Sequence, residues 1–163
     1  MRSLKLPLAL LVSSALAAAA AAPALSQPKV AADDIPAGVV AAVKAVEPGF
    51  TIVEAELKER DGRRYYDVEG TRADGSELEL DLLETGATWT VVEIQRDIDW
   101  STAPAPVRQA AGDVKPVRVI ESRQASDGTV IYELFAEGKP AEPSLEVRWK
   151  DGKADLLSER WPH

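Results

Sequence analysis

The sequence predicts an α+β fold: a tandem repeat of a short helix packed on a four-stranded antiparallel sheet. Two observations predict it. Residues 35–98 and 104–163 read as the same pattern twice, each opening with a Pro-led apolar helix, passing a second Pro and continuing through alternating strands. Asp-Gly steps punctuate those strands, at Asp61-Gly62, Asp74-Gly75, Asp127-Gly128 and Asp151-Gly152. The landmarks keep a near-constant offset: Pro104 to Pro36, Val114 to Val46 and Pro116 to Pro48 at 68 residues, and Tyr132 to Tyr66 at 66.

Taken in chain order, residues 1–26 read as a secretory signal peptide. Arg2 and Lys5 precede an apolar run from Leu6 to Ala22, and Ala24 and Ser26 are small residues placed for cleavage after Ser26. The run is Ala-rich and short of the ~20 residues a spanning helix needs. The expected product is exported, in the periplasm or secreted, with no stable membrane insertion after cleavage. The chain has no Cys, so packing alone must stabilise an exported fold. Residues 27–34 are expected to be a flexible leader.

Asp34 is placed to cap a first helix with Pro36 in its first turn, and Ile35, Val39, Val43 and Val46 recur on one face. Pro48-Gly49 ends it. A β-rich run from Phe50 to Leu57 follows, then the Asp61-Gly62 turn and a strand from Tyr65 to Thr71. From Glu77 to Leu83, Leu78, Leu80 and Leu82 alternate with Glu77, Glu79 and Asp81, which predicts one buried and one wet face. Thr88–Arg96 completes the first unit, and residues 99–103 form a linker carrying Trp100. The second unit repeats the order with a weaker helix, shortened by Pro106 and Gly112. It ends on strands Ser144–Lys150 and Ala154–Arg160.

Charge and composition exclude more functions than they identify. The chain carries 19 basic and 27 acidic residues. Arg2 and Lys5 leave with the leader, so residues 27–163 carry a net charge of −10. Nucleic acid and anionic membrane surfaces are disfavoured partners, whereas a basic protein patch or a cation is electrostatically welcome. The sole histidine is His163, the last residue, and without Cys there is neither thiol chemistry nor Cys-ligated zinc. No catalytic set, no cofactor motif and no metal-binding motif stands out. Glu77, Glu79 and Asp81 could offer oxygen ligands to a hard cation, but they lack the spacing of a calcium loop and read first as a solvated strand face. Tyr65 shares the face of Asp67 and Glu69. An aromatic among acids there marks Tyr65, Asp67, Glu69, Glu77, Glu79 and Asp81 as a candidate partner-binding face.

Several of these segments together resemble the PepSY and PepSY-like domains of bacterial envelopes. In the first unit they are Ile35-Pro36, Val39, Ala42-Val43, Pro48, Asp61-Gly62, Tyr66-Asp67-Val68, Asp74-Gly75 and Glu77–Asp81. In the second they are Pro104, Val107-Arg108, Ala111, Asp127–Leu134, Leu145-Glu146-Val147 and Asp151-Gly152. The resemblance implies a tandem helix-on-sheet architecture similar to secreted β-lactamase inhibitor proteins, though this chain lacks their disulfides. It also implies a link to peptidase inhibition, and no catalytic residues. The expected function is that of an exported, non-enzymatic binding module whose partner is an envelope protein, a peptidase among the candidates. The alternative is a module sensing a small ligand or a divalent cation.

Overall fold

Strands consecutive in sequence tend to pair with their neighbours, and in this chain the pairing continues from one unit into the next although residues 98–117 lie between the two strands that meet there. The structure is a computed structural model describing residues 29–162 and the backbone of Leu25–Ser26. Its elements are β1 (Leu25–Ser26), β2 (Val30–Ala31), α1 (Ala37–Val46), β3 (Thr51–Arg60), β4 (Arg63–Thr71), β5 (Glu77–Thr85), β6 (Thr88–Asp97), α2 (Ala105–Ala111), β7 (Arg118–Gln124), β8 (Val130–Phe135), β9 (Leu145–Lys150) and β10 (Lys153–Leu156). All strands belong to one antiparallel sheet, in the order β1-β3-β4-β5-β6-β7-β8-β9-β10, with β2 also paired to β3.

This corrects the expected fold class. The two units are not separate helix-on-four-stranded-sheet layers: β6 pairs β7 from Glu93↔Gln124 to Asp97↔Ile120, so the sheet continues across the unit boundary. The reason lies in the connection. After β6 the chain takes a 3-10 turn at Trp100–Thr102 and the short α2, then returns β7 beside the strand it left, satisfying a ladder that would otherwise be a bare edge.

Turn chemistry fixes the register. Asp61 and Gly62 both take positive φ, 52° and 72°, the two-residue hairpin geometry matched to strand twist. It sets Arg60 opposite Arg63 and, further in, Glu56 opposite Asp67. Gly70 is required for a different reason: a Cβ there would lie 2.2 Å from the Thr51 carbonyl oxygen and 2.8 Å from the Phe50 ring.

Register and burial together define two faces. On one, Ile35, Val39 and Val43 meet Ala55, Tyr66, Val68, Leu78, Leu80, Leu82 and Val91. On the same face, Val107 and Ala111 of α2 meet Val119, Val130, Tyr132, Leu134 and Val147. Between these apolar clusters runs a polar seam. Arg96 pairs with Glu121 at 2.9 Å, and the Tyr132 hydroxyl donates to Glu121 at 3.2 Å. Both helices cover this face, leaving the other without a helix among the described residues.

Local departures from the sequence expectation have physical causes. Asp34 does not cap α1. It sits in a 3-10 turn, Ala32–Asp34, and Pro36 occupies the cap position. Val46 is 47% exposed at the helix end, beyond the sheet that buries Val39 and Val43. Within the expected leader, Val30 and Ala31 pair with Ala55 and Glu54. The last strand stops at Leu156 rather than Arg160. From there the chain bends, and the Trp161 amide donates to the Glu146 carboxylate at 2.6 Å. The signal-peptide expectation lies outside the described residues, apart from the backbone of Leu25–Ser26. No helix among the described residues is long and apolar enough to cross a membrane.

Candidate functional site

The helix-free face carries the chain's unusual chemistry, and alternation puts it there. In β4, Tyr65, Asp67 and Glu69 point away from the core that takes Tyr66 and Val68. In β5, Glu77, Glu79 and Asp81 do the same. The register sets Glu56, Asp67, Asp81 and Glu93 in one row across four strands, with Gln124 beyond. The adjacent row runs Glu54, Glu69, Glu79, Gln95, Ser122. Like charges directly opposite one another oppose pairing, so these rows need compensation.

Part of it comes from β3. Lys58 forms an ion pair with Asp67, and its Nζ lies 3.9 Å from Glu56. The Arg60 guanidinium stacks over the Tyr65 ring at 4.4 Å, reaching Asp81 at only 3.7 Å and Asp67 at 4.0 Å. These long side chains lie over short ones, and the expected wet face is not wet at its centre: Asp67, Asp81 and Glu93 are buried. Burial pushes the Asp81 carboxyl well above its ordinary range, and repulsion from Asp67, Glu93 and Glu79 adds to it against the pull of Arg60. Glu79 is raised to about 7, first by burial and then by Asp67.

The six residues marked from the sequence therefore separate. Asp67, Glu79 and Asp81 come together, with one oxygen from each within 4.8 Å of the others. Tyr65 is half-buried beneath Arg60, whereas Glu69 and Glu77 line a groove further along the sheet. That groove has a volume of about 310 Å³, and its walls include Val53, Glu69, Glu77, Glu79, Asp97, Arg118 and Ile120. A β-bulge between Ile52 and Glu54 leaves Val53 58% exposed beside it. Asp97 holds Arg118 through two hydrogen bonds, 2.7 and 3.1 Å, and Glu69 takes Lys29 at 2.8 Å.

Sequence reasoning missed Lys58, Arg60, Glu93, Asp97 and Arg118. A signal existed for the first two: a two-residue turn at Asp61-Gly62 fixes the β3–β4 register, which places Lys58 and Arg60 on the face of Tyr65 and Asp67. Asp97 and Arg118 meet through the β6–β7 pairing, which joins segments on either side of the expected linker.

No known protein family, curated protein or solved structure matches this chain.

Proposed function

We propose that this protein is an exported, non-enzymatic binding module that holds a basic segment of another envelope protein against its helix-free sheet face. The observation that carries this reading is the groove of about 310 Å³ between Val53 and Ile120, rimmed by Glu69, Glu77, Glu79 and Asp97. Arg118 is already engaged by Asp97. A lysine or arginine side chain would meet carboxylates at the rim, with its aliphatic stem against Val53 and Ile120. The leader-like residues 1–26 and the acidity of the remainder support export and a basic partner. The resemblance to PepSY-like domains makes a peptidase, restrained by the contact, the first candidate.

Affinity capture from the envelope extract of the source organism tests it. One stoichiometric envelope protein is expected at low salt, released by about 0.5 M salt as rim charges are screened. Glu77→Lys is expected to abolish retention. Retention of nothing at any ionic strength, or equal retention by Glu77→Lys, would sink the reading.

A further inference from the structure

We propose that Asp67, Glu79 and Asp81 bind one hard divalent cation of the calcium class through carboxylate oxygens on the helix-free face. This site does not depend on the docking of a protein partner. Its three oxygens lie within 4.8 Å of one another, close to the widest separation two oxygens can have on one ion with ligand distances of about 2.3–2.6 Å.

A group of acids alone would not make a site, but buried carboxylate oxygens without a hydrogen bond on two of its members are a separate observation. The Asp81 side chain is 4% exposed, and its Oδ1 is buried without any hydrogen bond. Its nearest cationic atom, Arg60 Nη2, is 3.7 Å from the other oxygen, beyond hydrogen-bond reach. Asp67 repeats the arrangement: its side chain is 6% exposed, Lys58 takes one oxygen, and Oδ1 accepts nothing. Arg60 does not fill the gap, since its Nε and Nη2 also lack acceptors. Buried carboxylate oxygens are ordinarily satisfied, and a cation between these two would satisfy both.

Charge points the same way. Glu79 and Asp81 are each repelled by Asp67 and Glu93, while Lys58 reaches only Asp67 and Glu56, and Arg60 reaches only Asp67 and Asp81, within ion-pair range. A bound cation would relieve this repulsion. Oxygen-only donors disfavour soft metals. A rigid sheet cannot easily supply the near-ideal octahedron that magnesium demands, whereas calcium accepts irregular sets.

The test uses Mn²⁺ as a paramagnetic probe on the purified protein, with bound equivalents read by electron paramagnetic resonance and Ca²⁺ as competitor. One Mn²⁺ per chain is expected, displaceable by Ca²⁺. Affinity should fall at least about tenfold in Asp81→Asn and stay unchanged in Glu142→Gln, an exposed carboxylate in the second unit, since affinity follows the charge of the ligand set. Lys58→Gln is expected to tighten binding, because Lys58 competes for Asp67; a merely structural cluster would not respond in that direction. Circular dichroism establishes that each variant is folded, and Glu79→Gln serves in place of Asp81→Asn if the latter does not fold. Absence of stoichiometric Mn²⁺ on the wild type, or wild-type affinity in Asp81→Asn or Glu79→Gln, would overturn the proposal.

Discussion

Asp81 sits between Asp67 on one neighbouring strand and Glu93 on the other, and this placement governs how the protein responds to pH. A raised carboxyl pKa means that the folded chain keeps a proton the unfolded chain has released. For Glu79 that holds from about pH 4.5 to about pH 7. Over this range the native state binds more protons, so stability falls as pH rises, and it is fully present only below the lower value. Asp81 acts in the same direction. Urea unfolding at a series of pH values is expected to show a falling midpoint between about pH 4.5 and about pH 7, and Glu79→Gln is expected to flatten it. A midpoint that rises through this range would contradict the burial argued for these carboxylates. The alternation Glu77-x-Glu79-x-Asp81 is plain in the sequence. Their burial is not, because it depends on which long side chains the neighbouring strand lays over them.

Among elements, α1 shows how periodicity and position divide the work. Val39, Val43 and Val46 recur at helical spacing, but only the first two lie over the sheet; both are fully buried, while Val46 is 47% exposed. Val43→Ala removes two methyl-sized groups from a closed core and should cost about 2 kcal/mol. Val46→Ala should change stability by less than about 0.5 kcal/mol, as surface substitutions do. Chemical denaturation of the two variants checks this, and equal losses would place the core elsewhere on the helix. The hairpin at Asp61-Gly62 was legible in full, since positive φ at both positions follows from the residue types. The cap at Asp34 was not, because a preceding 3-10 turn and Pro36 took over the entry to the helix.

At the scale of the whole molecule, the two apolar clusters share no residue, and the polar seam of Arg96 and Glu121 divides them. The β6–β7 ladder nevertheless ties them into one sheet, and losing either half would expose a bare strand edge and an uncovered core. Scanning calorimetry is expected to show one transition with equal calorimetric and van't Hoff enthalpies. Two resolved heat peaks would mean that each half folds by itself. Residue type and short-range spacing were enough for the approximate course of the longer strands and of both helices, the hairpin turns at Asp61-Gly62 and Asp151-Gly152, the inward leucines of β5, its acidic alternation and the absence of thiols, though not for β2 or for where β10 ends. That the repeat forms one sheet, that both helices share a face, and that Glu93 joins Asp67, Glu79 and Asp81 came from the assembled fold. Those outcomes rest on pairings between strands, which chain connectivity and packing select and no local pattern encodes.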